Sequence, residues 1–294
     1  RALLTFDKLN LIDKARYALH VLYTKNINDW RRLDRVSATA WLKQWLGERC
    51  YRVLWRRLFD LKFFEYSEQF SAAWLGTRIK RVALSRRGLT QESLGFIEGG
   101  SQTLLEALRA AIEQRGGRIR VRSGVQRVVV RDNAVAGVLV NGEERAFDRV
   151  VSTVPIQYVP RLVPDLPEEF AARIRAIGNI PVVCVVLKLR QRLTGNFWMN
   201  ICDDSIDLAG VIEYSNLNPG AGPAIVYAPF YMPKTHPKFS RDNSAFIEEV
   251  LGYLPRLNPA FARDWVLAMH CHRYEFAQTV SPPGFYDMLP PMQT

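Results

Sequence analysis

The sequence predicts an α+β protein, in which a helical lobe is followed by a mixed, largely antiparallel sheet. Within residues 3–83 apolar residues recur at helical spacing, as in Leu9, Ile12, Ala15, Leu19 and Leu22. Beyond residue 180, apolar runs of strand length are separated by turns, and they lie at 182–189, 196–202, 208–214, 224–231 and 265–276. Between these two parts, Asn141-Gly142 is a strong signal for a β-hairpin turn.

The charge of the chain is strongly basic, while its composition is that of an ordinary globular protein. The net charge is +11, and much of the excess lies in the first 90 residues. Such a surface attracts nucleic acid, an anionic membrane or a phosphate-bearing ligand, and an ordinary basic surface explains it equally well. No recognised nucleic-acid-binding module accompanies the charge, so we expect no nucleic-acid partner.

Cysteine, histidine and hydropathy patterns narrow the class of protein further. Four scattered cysteines without a CxxC pair indicate free thiols and a reducing, cytoplasmic compartment. The four histidines lack metal-ligand spacing, so no metal site is predicted. No run of 18 apolar residues is present. The basic, aromatic-rich helices are explained most simply as a packed bundle, and a peripheral membrane contact or the wall of a lipid pocket remains an alternative.

The most informative stretch of the sequence runs from residue 96 to residue 155. A loop containing Gly99-Gly100 leads into a helix over 102–115, and Gly116-Gly117 ends that helix. Residues 119–121 are strand-like, Val125 then begins a strand with the pattern V-x-x-V, and a hairpin follows. An apolar, buried strand is predicted at 150–154, and it ends at Pro155.

This order of motifs resembles the middle of the FAD-binding domain in the flavin-dependent amine oxidase/phytoene desaturase superfamily, which includes protoporphyrinogen oxidase-like proteins. The resemblance implies a two-domain flavoprotein. Residues 85–155 would be the remnant of an α/β FAD domain, residues 1–84 and 156–276 the helical lobe and sheet of a substrate domain, and residues 277–294 the exit loop back to the FAD domain. The G-x-G-x-x-G and G-D motifs that such proteins carry are missing. We therefore expect a fragment that retains no FAD and is inactive alone.

The resemblance also implies site residues, with FAD as the cofactor. It places the backbone of Val125 near the adenine, and Thr153 and Pro155 are weaker cofactor-binding candidates. A strand edge has free N–H and C=O groups for such a contact. Aromatic residues of the predicted sheet are candidate pocket liners, although each is also compatible with core packing: Phe197, Trp198, Tyr214, Tyr227 and Tyr231.

A lysine distinguishes the reactions within this superfamily. Its amine oxidases carry that lysine on a substrate-domain strand near the flavin, at a position that corresponds roughly to Val183, and Lys188 comes later on the same strand. The missing lysine favours desaturase- or dehydrogenase-like hydride transfer between FAD and an apolar, isoprenoid-like small molecule. No catalytic residue is predicted.

Three alternative functions remain open at this point. The first is a flavin amine oxidase. The second is a sugar-nucleotide mutase of the UDP-galactopyranose type, in which Arg190 and Arg273 would clamp a pyrophosphate. The third is a non-enzymatic basic protein that binds an anionic surface.

Overall fold

The computed structural model describes residues 5–85, 95–218 and 222–291. The chain forms two compact units. The first consists of Arg1–Gly95 and Gly178–Asp287, and the second of Phe96–Ile177 and Met288–Thr294. The predicted combination of a helical lobe and an antiparallel sheet is confirmed. Residues 156–177 group with the second unit and not with the large sheet.

The helical lobe of the first unit occupies residues 5–85. Its helices are α1 (Leu11–Lys25), α2 (Arg31–Asp34), α3 (Ala38–Leu46), α4 (Glu48–Tyr51), α5 (Arg57–Phe63) and α6 (Ala72–Leu84). A π-helical segment, Arg52–Arg56, joins α4 to α5, so the helix predicted over 50–64 has a wider turn in its middle. Large rings fill the core of the lobe, where Phe59, Phe63 and Phe70 are at most 1% exposed.

Side-chain caps fix where the longer helices of the lobe begin. Asn10 and Asp13 form a capping box at the start of α1. The hydroxyl of Ser71 accepts from the Trp74 N–H and caps α6. Ser37 holds the predicted N-cap position of α3, but its hydroxyl donates to the carbonyl of Glu68 instead of capping the helix.

The second unit combines a three-stranded antiparallel sheet with helices. Its elements are α7 (Ser101–Gln114), β1 (Val125–Arg131), β2 (Ala134–Val140), β3 (Glu143–Ala146), α8 (Val159–Leu162) and α9 (Glu168–Arg175). Asn141 and Gly142 both have positive φ, +53° and +82°, as the two-residue turn predicted from their sequence requires. Val128, Val138 and Val140 form a small core with Leu162 of α8.

Two strands predicted in the second unit are not formed among its described residues. Residues 119–121 and 150–154 are irregular, and Val121 and Val151 are 78% and 88% exposed. The prediction of a buried strand at 150–154 is therefore wrong for this chain. A strand is stable only when a neighbour pairs its N–H and C=O groups, and no described residue pairs with either segment.

The large sheet of the first unit contains β4 (Asn179–Leu189), β5 (Trp198–Asn200), β6 (Gly210–Glu213), β7 (Ala224–Tyr231) and β8 (Val266–Thr279). The strands pair antiparallel in the order β5-β6-β7-β4-β8. Helix α10 (Asn243–Leu257) covers one face, and a short helix, α11 (Phe285–Met288), follows the sheet. Alternate residues of β4 pack with α10 in the main core: Val183, Val185, Leu187 and Leu189.

Candidate functional site

The face of the large sheet opposite α10 carries the residues that alternate with the core positions. We call it the open face. Directly paired residues of antiparallel strands project to the same side of a sheet. The strand pairings therefore place one row of side chains across all five strands on the open face: Trp198, Ile212, Tyr227, Val186 and His270.

The open face is largely aromatic and partly exposed to solvent. Trp198 is 45% exposed, and Tyr227 is half-buried. His272 and Tyr274 follow His270 on the same side of β8, and each pairs with a residue of β4 on the open face. The rings of His270 and His272 stack with centroids 5.2 Å apart. Such a surface suits an apolar molecule that also accepts a few polar contacts.

Four of the five predicted pocket liners lie on or beside this face. Trp198 and Tyr227 share the central row, and Tyr231 follows on β7. Tyr214 begins the turn after β6. Burial is the main cause of the raised pKa of Tyr227, and Tyr214 is among the groups that raise it further. Phe197 precedes β5, and its carbonyl accepts from the Glu213 N–H at 2.8 Å. No described contact brings the Phe197 ring to the other four.

A potential nucleophile, the thiol of Cys184, lies at the centre of the open face. Burial, and then the neighbouring Cys271, raise the pKa of Cys184 to about 11. The thiol therefore stays protonated near neutral pH, and it is a weak nucleophile. Among the described residues, no group of three His, Cys, Asp or Glu side chains could hold a metal ion.

The structure separates the two lysine positions considered on β4. Val183 is fully buried in the core against α10, so a lysine there would point away from the open face. Lys188 lies on the open face, at its exposed end, where it pairs with Ile225 and Ala268.

Sequence reasoning missed a second lysine near the open face. Helix α5 packs on β7, and the Lys62 ammonium lies 5.4 Å from the Tyr231 ring centroid and 5.8 Å from that of Phe63. Burial, and then the charge of Arg78, lower the pKa of Lys62 to about 8. The signal was a lysine between the apolar residues Leu61 and Phe63 of an aromatic-rich helix.

The cofactor-binding candidates lie in the second unit. Val125 begins β1, an edge strand of the three-stranded sheet, and its residue is 45% exposed. The outer edge of β1 is unpaired among the described residues, so its backbone groups fit the contact expected with an adenine. Thr153 and Pro155 are exposed in the segment before α8, which packs against β1. No described contact joins Val125 to Thr153 or Pro155.

The loop before α7 has the conformation that its glycines predict. Gly99 and Gly100 have φ of +78° and +74°, a region that favours glycine. A Cβ on Gly99 would lie 2.3 Å from the Thr103 hydroxyl, which itself donates to the Glu98 carbonyl. The double glycine therefore allows the loop to enter the helix directly.

Comparison with known protein families assigns nearly the whole chain to one of them. The model of the family described as flavin containing amine oxidoreductase matches residues 1–293. The chain belongs to this family. The family resemblance drawn from residues 96–155 is thus confirmed. No curated protein matches the sequence significantly.

Solved structures share the fold of this flavin-containing amine oxidoreductase chain at low sequence identity. An oxidoreductase from Methanosarcina mazei is 17% identical, with a TM-score of 0.65 over 92% of this chain and 64% of that one. A candidate protoporphyrinogen oxidase from Exiguobacterium sp. 255-15 is 14% identical, with a TM-score of 0.67 over 96% and 64%. Reduced UDP-galactopyranose mutase is 14% identical, with a TM-score of 0.66 over 95% and 63%. The chain spans less than two thirds of the length of these neighbours.

Proposed function

We propose that the whole protein is an FAD-dependent oxidoreductase, to which this chain contributes a substrate domain and the middle of the FAD-binding domain. The family match over residues 1–293 carries this proposal. When bound, FAD supplies the redox chemistry by accepting a hydride from the substrate. The backbone of Val125 would hold the adenine half of FAD, with Thr153 and Pro155 nearby, while the open face orients the substrate.

An apolar small molecule is the substrate class that the open face supports best. Trp198, Tyr227 and Tyr231 offer aromatic surface for an extended hydrocarbon such as an isoprenoid. Among the described residues of the sheet, Lys188 is the lysine on this face, at its exposed end, and Val183 is in the core. A desaturase- or dehydrogenase-like reaction therefore fits better than amine oxidation, which remains the alternative named by the family.

One of the two arginines considered for the mutase alternative is already engaged in hydrogen bonds within the fold. The Arg273 guanidinium donates to the Phe239 carbonyl at 3.2 Å, and also to the Arg241 carbonyl and the Asn243 side chain. A guanidinium held by these groups has few donors left for a pyrophosphate.

FAD binding tests the proposal through Val125. We expect Val125→Pro, which removes a backbone N–H, to weaken FAD binding by about tenfold or more, while Val125→Ala leaves it nearly unchanged. The measurement is FAD titration by fluorescence quenching, on the chain expressed with any sequence that flanks it in its gene. Equal FAD affinity of both variants would remove Val125 from the cofactor site.

A peripheral membrane contact is supported by the orientation of α1. Its polar residues Asp13, His20 and Thr24 are buried, whereas Leu11, Ile12, Leu19 and Leu22 are 81%, 69%, 59% and 56% exposed. This is the reverse of an ordinary surface helix. Residues 5–85 contain sixteen Lys and Arg but eight Asp and Glu. An apolar stripe on a basic lobe fits an anionic lipid surface at the cytoplasmic side of a membrane. No helix in the described part of the chain has the length and hydropathy needed to cross a membrane.

Vesicle sedimentation tests this contact. We expect the chain to pellet with phosphatidylglycerol vesicles and not with phosphatidylcholine vesicles, because both the stripe and the charge are needed. The double variant Leu19→Asp/Leu22→Asp should abolish pelleting, and Leu267→Asp, an exposed residue of β8, should not. If the double variant pellets like the unaltered chain, α1 is not the contact.

A further inference from the structure

Two cations of the helical lobe have no carboxylate partner among the described residues. They are Lys62 on α5 and Arg78 on α6. Both side chains are half-buried. The comparably buried Lys238 shows the contrast, since Asp207 and Glu249 each accept from its ammonium at 2.6 Å. The fold therefore neutralises one buried lysine with two carboxylates, and it gives the other none from the part of the chain that the structure describes.

Aromatic rings are the described partners of these two cations. The Lys62 ammonium faces the rings of Phe63 and Tyr231. The Arg78 guanidinium lies 3.6 Å from the centre of the Trp74 ring and donates to the Trp74 carbonyl at 2.8 Å. Ring faces attract cations weakly compared with the cost of removing a charge from water. An anion between the two cations would compensate that cost.

Packed rings connect Lys62 to Arg78. The Phe63 ring, which Lys62 faces, lies edge-on to the Trp74 ring, which Arg78 faces, with centroids 5.3 Å apart. Arg78 is the second cause, after burial, of the lowered pKa of Lys62, and burial, followed by Arg81, lowers the pKa of Arg78 to about 10. Like charges that interact in a partly dry site attract an anion more strongly than either does alone.

We propose that Lys62 and Arg78 bind the oxyanion head group of an amphiphile whose apolar body lies along the open face. The position of Tyr231 links the two parts, because it contacts Lys62 and belongs to the strand that carries Tyr227 in the aromatic row. That this amphiphile is the substrate rests on the proposed oxidoreductase function, whereas the anion site does not. A cationic amine would be repelled at this end of the face.

Four probes with the same dodecyl chain test the site: dodecanoate, dodecyl phosphate, dodecanol and dodecylamine. Each is titrated below its micelle concentration against the full chain, with binding followed by calorimetry. We expect both oxyanions to bind about tenfold or more tightly than dodecanol, and dodecylamine to bind most weakly. A preference between the two oxyanions identifies the head group as carboxylate or phosphate.

Variants assign the binding to Lys62. Lys62→Met should weaken oxyanion binding about tenfold or more and leave the affinity for dodecanol unchanged. Lys62→Arg, which keeps the positive charge, should bind the oxyanions as the unaltered chain does. Lys188→Met, which removes the exposed lysine of the same face, is the matched control, and Leu19→Asp/Leu22→Asp excludes binding on α1. Thermal melting establishes that each variant is folded.

Equal affinity for dodecanol and the oxyanions, an unchanged affinity in Lys62→Met, or no binding of any probe would overturn the proposal. The assay needs no flavin. An oxyanion preference in a protein that takes up no FAD, even when it is expressed with any sequence that flanks it in its gene, would support the anion site and contradict the oxidoreductase function, so the two failures are distinguishable.

Discussion

At the scale of single residues, buried charged and polar side chains differ in how far hydrogen bonds compensate for their burial. The Glu213 carboxylate is fully buried, and it accepts from the Leu193 N–H at 3.0 Å, the Thr194 N–H at 2.7 Å and the Thr194 hydroxyl at 3.0 Å. It holds the loop before β5 and is fully partnered. The burial of His20 and of Lys62 is less well compensated, and in each case the free energy of unfolding should show it.

Replacing Glu213 should cost considerable stability. Glu213→Ala leaves three donors without their charged acceptor, and we expect a loss of about 2–4 kcal/mol in the free energy of unfolding. Urea unfolding measures it, with Glu248→Ala as an exposed control that should change little. A loss in Glu213→Ala no larger than in the control would show that the loop is held by other contacts.

His20 should make the helical lobe sensitive to acid. Its ring is fully buried against Trp41, its two nitrogens have no hydrogen-bond partner among the described residues, and burial lowers its pKa from 6.5 to about 4. Protonation therefore favours the unfolded state, so stability present above pH 6.5 is lost as the pH falls toward 4. At pH 5 the loss is about 2 kcal/mol relative to neutral pH.

The variant His20→Phe separates this effect from other acid-sensitive groups. The fall in the free energy of unfolding between pH 7 and pH 5 should be smaller in His20→Phe than in the unaltered chain by that amount. Parallel pH profiles of the two proteins would show that His20 is not the titrating group.

Lys62 should carry its charge at a cost to stability. Burial and Arg78 lower its pKa from 10.5 to about 8, so below pH 8 the folded chain holds a charge that the unfolded chain holds more easily. We expect Lys62→Met to raise the free energy of unfolding at pH 7 by about 1–3 kcal/mol. A less stable Lys62→Met protein in urea unfolding would mean that the aromatic contacts of the amine outweigh its desolvation.

At the scale of elements, sequence patterns located most strands and helices, but they did not show which residues pack against each element. The run 224–231 coincides with β7, and Asn141-Gly142 forms the expected turn. Helical periodicity in α1 identified the apolar stripe but not its exposure, because period alone cannot tell which face is buried. Here Asp13 is held by the capping box and by an ion pair with Arg49 at 3.7 Å, which draws the polar face inward.

The composition of the open face could not be predicted from sequence, although its members could be. Trp198, Tyr227 and His270 are far apart in the chain, and they share a row because of the register of β5, β6, β7, β4 and β8. A slip of one residue in any strand would send its aromatic side chain to the core. The register depends on long-range pairing, which local patterns do not contain.

At the scale of the whole molecule, the order of motifs in the sequence was more informative about the family than the amino-acid composition was. The double glycines, the strand from Val125 and the run before Pro155 identified the flavin-containing amine oxidoreductase family, which the family model matches over residues 1–293. Net charge identified no function alone. The charge became informative once the structure showed exposed leucines on α1, and showed Lys62 and Arg78 without a carboxylate partner among the described residues.

The visible absorbance spectrum tests the central claim most directly. The protein is expressed with any sequence that flanks residues 1–294 in its gene, supplied with FAD and freed of unbound flavin. We expect a yellow protein with a flavin absorption band that bleaches on reduction by dithionite, while the chain of residues 1–294 alone stays colourless. A colourless protein that takes up no FAD at all would contradict an FAD-dependent oxidoreductase.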